Sequence, residues 1–224
     1  MNITAVLGSP HGMKGATGQV LQAMVRGMES AGARVTVLSL TDLKVGPCRA
    51  CDVCHKTGAC SVKDDIGSIL ASLTGADGIV LASPNYIFSV TAQLKALFDR
   101  CCGPLHCQAF SGKYAAAVVT SGGAGSSEVE QYMLRFLRAL GCRTVGSVGA
   151  EGRQLSQEAA RTAVFAQAQE LGRQLVEAIQ TGRKFPEQDE ERKACYRRMK
   201  LVVELRKNDW TYEYEYWKAG KAVL

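Results

Sequence analysis

Proline is scarce in this chain, 5 residues against 23 glycines in 224, and neither a proline-rich linker nor a low-complexity segment can be built from that composition. No internal repeat is visible. No apolar run approaches the roughly 18 residues that a membrane span requires. The opening MNITAVLGSP carries no basic region, long apolar region or small-residue cleavage site, so neither export nor membrane insertion is expected and the expected location is the cytoplasm. A strong charge imbalance is also missing, since 27 basic residues face 21 acidic ones for a net charge of +6. The basic residues gather late, in RKFPEQDEERKACYRRMKLVVELRK, where acidic residues interleave them. That pattern reads as a solvated amphipathic helix, and no nucleic-acid partner is expected. Such a basic face would favour docking of an acidic electron carrier by electrostatic steering.

The common nucleotide signatures are absent as well. In GSPHGMKGATGQ, Met13 precedes Lys14 where a Walker A loop needs glycine, and the glycines at 12, 15 and 18 miss the G-x-G-x-x-G spacing. ATP and dinucleotide binding are therefore not expected there. What the segment does offer is Ser9, His11, Lys14 and Thr17 at the start of a helix. Unpaired backbone N–H groups and the positive dipole end favour an anion at such a place, and a phosphomonoester fits.

What the chain has in quantity is alternation. The short apolar runs ITAVLG, RVTVLSL, DGIVLAS, YAAAVVTS and TVGSVGA alternate with longer helical patterns, among them GQVLQAMVRGMESAG, TAQLKALFDRCC and SEVEQYMLRFLRALG. Continuous apolar strands joined by helices predict a doubly wound α/β fold, a five-stranded parallel sheet with helices on both faces. Ligands in such folds lie beyond the carboxyl ends of the strands, which directs attention to the loops after strands one, three and four. The expected organisation is one domain over residues 1–182, with a cysteine-rich loop at 47–63, and a C-terminal helical appendage over 183–224. In DWTYEYEYWKAG, Trp210, Tyr214 and Trp217 fit a helical face, which is expected to pack on the body or on a partner subunit.

Four of the nine cysteines fall in PCRACDVCHKTGACSVKDD, as Cys48, Cys51, Cys54 and Cys60. In a reducing compartment closely spaced thiols bind metal or do redox work more often than they form disulfides. Their spacing, C-x2-C-x2-C-x5-C, is close to the compact block of bacterial ferredoxins, whereas zinc sites more often use two separated C-x-x-C pairs. The spacing favours a [4Fe–4S] cluster over zinc, and a cluster-free loop of reduced or redox-active thiols stays open. His55 reads as a neighbour of this loop and not as a ligand. Cys101, Cys102, Cys107, Cys142 and Cys195 read as small buried hydrophobes, the first three meriting a test of reactivity because they follow the loop after strand three.

Three segments carry a resemblance. GSPHGMKGAT, SPNYIFSVTAQLKALFDR and TSGGAG, in this order, resemble the NADPH-dependent FMN reductase group of flavodoxin-like proteins, and the cysteine run resembles its iron–sulfur flavoprotein branch. The resemblance implies that Ser9, His11, Ala16 and Thr17 surround the FMN phosphate. It also implies that Pro84, Asn85, Tyr86, Ile87 and Phe88 run along the isoalloxazine, and that Ser121, Gly122 and Gly123 close its other edge. By the same resemblance Cys48, Cys51, Cys54 and Cys60 are the cluster ligands. His11 stands where the family usually has arginine and Ala16 where it usually has asparagine, with Lys14 placed to restore the charge. For Tyr86 and Phe88, core packing is the plain alternative.

The function expected from these readings is an FMN-dependent oxidoreductase in which FMN exchanges electrons with a [4Fe–4S] cluster and an external redox partner. FMN moves one or two electrons and the cluster moves one, and no side chain reads as a general acid or base. The partner is NAD(P)H or a small redox protein such as ferredoxin, and a homodimer or homotetramer is expected. The alternatives are a cluster-free NAD(P)H-dependent FMN or quinone reductase and, outside enzymes, a zinc-stabilised binding module.

Overall fold

The computed structural model describes residues 1–224. Its elements run β1 (Asn2–Leu7), α1 (Ala16–Ser30), β2 (Arg34–Ser39), α2 (Val53–Thr57), α3 (Ile66–Gly75), β3 (Gly78–Pro84), α4 (Ala92–Asp99) and α5 (Cys102–His106). The chain continues through β4 (Tyr114–Ser121), α6 (Ser126–Ala139), β5 (Arg143–Glu151), α7 (Gly152–Ser156), α8 (Glu158–Thr181), α9 (Pro186–Leu205) and α10 (Thr211–Lys218). The five strands form one parallel sheet in the order β2-β1-β3-β4-β5. This is the predicted doubly wound architecture, and strand order reverses at β1/β3.

Side chains along each strand alternate between two cores. Ile3, Ala5 and Leu7 of β1 with Ala116 and Val118 of β4 pack under α1 and α8. Val6, Ala115, Ala117 and Val119 instead face α3, α4 and α6. Helices on both faces explain why YAAAVVTS is buried throughout and reads as a continuous apolar run. Each fully buried large apolar side chain, such as Leu21, Met24 or Leu94, stabilises the fold by about 1.5–3 kcal/mol.

On the first face, glycine sets how close two helices come. A Cβ on Gly27 of α1 would lie 2.0 Å from the Gln169 carbonyl oxygen, and one on Gly172 of α8 would lie 2.3 Å from that of Met24. The helices therefore touch backbone to backbone, an approach that any side chain would spread.

Two segments differ from their sequence reading. The cysteine loop contains one helical turn, α2, entered through left-handed residues Ala50 and Asp52 (φ 49° and 57°) and left through Gly58 (φ 76°). The tail is helical as read, but its buried member is Glu213, with Tyr214 only half-buried. No helix is long and apolar enough to cross a membrane.

Gly27→Ala is expected to lower stability by about 1–3 kcal/mol, because the obstructing atoms are backbone and α1 or α8 must shift. A fall in the urea midpoint with unchanged slope would show it.

Candidate functional site

Beyond the carboxyl end of β1 the chain turns through a tight loop. The Gly12 N–H donates to the Ser9 carbonyl (3.0 Å), the Gly15 N–H to the Gly12 carbonyl (3.2 Å), and the His11 N–H to Ser9 Oγ (3.3 Å). A Cβ on Gly18 would lie 2.5 Å from Met13 Cα, so the loop rests directly on the first turn of α1. Helix geometry leaves the amides of that turn without intrahelical acceptors. His11, Lys14 and Ala16 are exposed around it, while Ser9 and Thr17 are buried. Thr17 does not offer its hydroxyl freely, because Oγ1 is 2.7 Å from Thr120 Oγ1 at the end of β4.

The loops after β1, β3 and β4 are tied together at their roots. Thr91 caps α4 by accepting from the Leu94 N–H and donates its own hydroxyl to the Gly8 carbonyl (2.6 Å). Ser83 Oγ accepts from the Thr91 N–H, and the Asn85 N–H donates to the Thr120 carbonyl (2.6 Å). On this base stands the turn Tyr86–Ser89, whose Ile87 and Phe88 both adopt positive φ (50° and 60°). For non-glycine residues, and above all a β-branched one, that conformation stores strain of about 1–3 kcal/mol each. The turn lifts its side chains into solvent: Tyr86, Ile87 and Phe88 are 47%, 93% and 75% exposed. Tyr86 and Phe88 are therefore not core residues, and the turn presents an uncovered apolar edge.

Two buried polar atoms beside this edge lack partners. Asn85 donates through Nδ2 to the Ala124 carbonyl (3.0 Å), but its Oδ1 has no donor, and Ser121 Oγ has no partner. Nothing lies within 4 Å of where side chains on Gly122 and Gly123 would be. A crevice with an anion-favouring floor, an apolar wall, orphaned polar groups and open space at two glycines fits a flat, phosphorylated, hydrogen-bonding group such as FMN.

The cysteine loop is closed at its neck. Arg100, buried just past α4, donates from Nη1 to the Gly46 carbonyl (2.8 Å) and Asp64 Oδ2 (2.9 Å). From Nη2 it donates to Asp64 Oδ1 (3.1 Å) and Cys60 Sγ (3.0 Å). The Gly46 N–H donates to Asp64 Oδ2 and the Lys44 N–H to Asp65 Oδ2, closing the other strand of the neck. Burial works against the charge on Asp64, but the hydrogen bonds from Arg100 and from the Gly46 and Ile66 amides together outweigh it and hold this carboxyl below its usual range. Within the loop Cys48 and Cys51 are exposed and Cys54 and Cys60 half-buried. Ser61 lowers the Cys51 thiol, whereas burial, with Cys102 and Glu213 nearby, pushes Cys54 up to about 11. One zinc ion would gather four thiolates to about 3.8 Å apart, from its bonds of about 2.3 Å to sulfur. The donors that come within 4.8 Å of one another are a different set: His55, Cys102 and His106.

These three lie under the loop, against α10. Glu213, 0% exposed, receives His55 Nδ1 on Oε1 (2.5 Å) and His106 Nδ1 on Oε2 (3.0 Å). Trp210 stacks on both imidazoles, with ring centroids 4.5 and 4.6 Å away. Burial opposes a charge on His106, but hydrogen bonds to Cys102 and Glu213 prevail and push it up to about 9. Cys101, Cys107 and Cys142 are buried as expected, and burial pushes each thiol up to about 12, so they are inert. Cys102 differs, half-buried with Sγ 3.8 Å from His106 Nε2.

Sequence reading missed Arg100, His106 and Glu213. Trp210, Glu213 and Trp217 share the i, i+3, i+7 face of α10, and one acid on an otherwise aromatic stripe was the available signal. Nothing local marked Arg100, whose partners lie 36 to 54 residues away.

A flavodoxin-like sheet with this crevice at its switch point defines a flavin-binding oxidoreductase of the α/β class. The family profile described as NADPH-dependent FMN reductase matches residues 1–156. An iron–sulfur flavoprotein of Archaeoglobus fulgidus is 30% identical over 97% of this chain and 98% of its own. The chain belongs to the NADPH-dependent FMN reductase family, in its iron–sulfur flavoprotein branch, and is a flavin-dependent oxidoreductase. An iron–sulfur flavoprotein of Methanosarcina thermophila is 36% identical over 45% of this chain, a match spanning 52% of that relative's length. Among solved structures, NAD(P)H:quinone oxidoreductase from Methanothermobacter marburgensis superposes with a TM-score of 0.62 at 17% identity, covering 78% of this chain and 96% of that one. The FMN-dependent NADH-azoreductase from Bacillus anthracis gives 0.61 at 13% identity, covering 79% and 100%. At such identities these likenesses speak for the fold. Family membership takes the place of the zinc-stabilised binding module.

Arg100→Met leaves the half-buried Asp64 with only the Gly46 and Ile66 amides as donors and is expected to cost about 1–3 kcal/mol. The urea midpoint would report the loss, and limited proteolysis would report opening of the 47–63 loop.

Proposed function

We propose that this protein is an electron-transfer flavoprotein in which FMN, held in the crevice, exchanges electrons with a [4Fe–4S] cluster held by Cys48, Cys51, Cys54 and Cys60. The observation that carries this reading is that one helix supports both places. The N-cap of α4, Thr91, fixes the ends of β1 and β3, and Arg100, its C-cap, donates to Cys60 Sγ. Eight residues of α-helix span about 12 Å, so the two places are held at a set separation.

Loop amides, Ser9 and the Thr17 backbone amide, with the His11 ring and the Lys14 charge nearby, bind the phosphate, and Ala16 opens the helix there. Pro84, Asn85, Tyr86, Ile87 and Phe88 line one edge of the ring system, and the apolar turn excludes water from it. Ser121, Gly122 and Gly123 line the other edge, with Ser121 Oγ and Asn85 Oδ1 as the groups left to be satisfied. FMN supplies the conversion between two-electron and one-electron transfer, and the cluster supplies the one-electron steps. Arg100 Nε is buried without an acceptor beside Cys60, which suits a sulfur-rich, negatively charged neighbour. The burial that raises Cys54 keeps it a neutral thiol until a metal takes its proton's place. The donor or acceptor is NAD(P)H or a small redox protein such as ferredoxin, the location is cytoplasmic, and the assembly is a homodimer or homotetramer that covers the apolar turn.

Anaerobically purified protein is expected to hold about four irons and about four acid-labile sulfides per FMN. FMN with neither, together with rapid anaerobic bleaching by NADPH, would replace this reading with a cluster-free NAD(P)H-dependent FMN or quinone reductase. Gly122→Val adds its side chain to open space, so the apoprotein's urea midpoint is expected to stay unchanged. FMN affinity, read by fluorescence titration, is expected to fall about tenfold or more, which corresponds to about 1.4 kcal/mol.

A further inference from the structure

We infer that His55, His106 and Cys102 form a second, mononuclear site for a divalent d-block ion, zinc by its donor set, separate from the four thiols of the cysteine loop. The three ligand atoms lie within 4.8 Å of one another without an ion to gather them. Two imidazoles and one thiolate suit zinc, which accepts nitrogen and sulfur together and leaves a fourth position in sites with three protein ligands.

The distances agree with such an ion. Bonds of about 2.0–2.1 Å to nitrogen and about 2.3 Å to sulfur at a tetrahedral angle put the donors about 3.6 Å apart. Cys102 Sγ stands 3.8 Å from His106 Nε2, the two residues being one helical turn apart on α5. Asp52, exposed at the rim, has Oδ1 3.7 Å from His55 Nε2, and water or this carboxylate can take the fourth position.

The groups behind the ligands argue more strongly than the ligands themselves. A buried carboxylate is costly unless every oxygen is satisfied. Glu213 spends both oxygens on the Nδ1 atoms of the two histidines. That turns both Nδ1 atoms to the carboxylate and leaves Nε2 of each ring as the atom free to ligate, the carboxylate–histidine arrangement that supports metal ligands elsewhere. Trp210 holds both ring planes from one side, and Trp217 Nε1 donates to the His106 carbonyl (2.9 Å). Ion uptake forms two metal–nitrogen bonds and one metal–sulfur bond, breaks the Cys102 S–H bond and, where His106 is protonated, its Nε2–H bond, and releases these protons to water. No oxidant or reductant is needed.

This site does not depend on the cluster, so its test starts from protein in which all four loop thiols are removed by Cys48→Ser, Cys51→Ser, Cys54→Ser and Cys60→Ser together. That protein is expected to bind one Co²⁺ per chain. Its difference spectrum against the Zn²⁺-loaded form should show ligand-field bands of tetrahedral cobalt and a thiolate charge-transfer band. Adding Cys102→Ser should remove the charge-transfer band and keep the ligand-field bands. Adding His106→Gln should abolish uptake. Glu213→Gln, a change to a positioning residue, should weaken Co²⁺ binding by about 10–100-fold with FMN stoichiometry unchanged. Zinc in the anaerobically purified, unsubstituted protein should be about one per chain and should fall on Cys102→Ser. No cobalt uptake by protein that holds its full FMN would overturn the inference, as would a charge-transfer band that survives Cys102→Ser. If His106→Gln does not fold, the half-buried Cys102→Ser change, a single sulfur-to-oxygen exchange, decides the matter alone.

Discussion

The arrangement depends on helix α4 being pinned at both ends. At its start the Thr91 hydroxyl donates to the Gly8 carbonyl and its oxygen accepts from Leu94, while Ser83 holds the Thr91 N–H. At its end the Arg100 guanidinium gathers Gly46, Asp64 and Cys60. Between the caps Leu94, Leu97 and Phe98 are buried against the sheet, so the helix cannot slide without opening the core. The loop after β1, the strained turn and the cysteine loop are irregular segments whose roots bond to residues at the two ends of α4. Each inherits its position from this one short helix.

How much of this was legible depended on whether the determining contact is local. Strand and helix alternation is a local signal, and the five strands, their parallel order and the helical tail follow from it. The place of the loops after β1, β3 and β4 at the carboxyl ends of the strands follows from the same alternation, and the compact cysteine spacing is itself a local signal. The helical turn α2 was not legible, since it rests on left-handed Ala50 as well as Asp52, and only the aspartate has a preference for that conformation. Arg100 and Glu213 were not legible either. A buried charge declares itself only through partners, and those of Glu213 lie 107 and 158 residues away.

The turn at Tyr86–Ser89 shows where the fold departs from its own local preferences. Ile87 in a left-handed conformation runs against both sterics and burial, because it is strained and 93% exposed. Ladder bonds between Tyr86 and Ser89, with the Asn85 N–H held by Thr120, impose the conformation from below. Strain kept at a place where apolar side chains meet unsatisfied polar atoms is the mark of a surface shaped for something that binds there.

The C-terminal appendage belongs to the chemistry for a reason that electrostatics makes plain. An aromatic tail would have docked well enough through Trp210 and Trp217 alone, and a glutamate at its centre gains nothing from burial as such. Glu213 is tolerable only because two histidines, one from the cysteine loop and one from α5, both donate to it. The tail is thus latched by polar complementarity, which the Trp217 bond to the His106 carbonyl and the Thr211 bond to the Lys56 carbonyl reinforce across the same segments. Lifting α10 would strand a carboxylate and free two imidazoles at once, so the tail, the cysteine loop and the segment after α4 should open as one cooperative unit and not piecemeal.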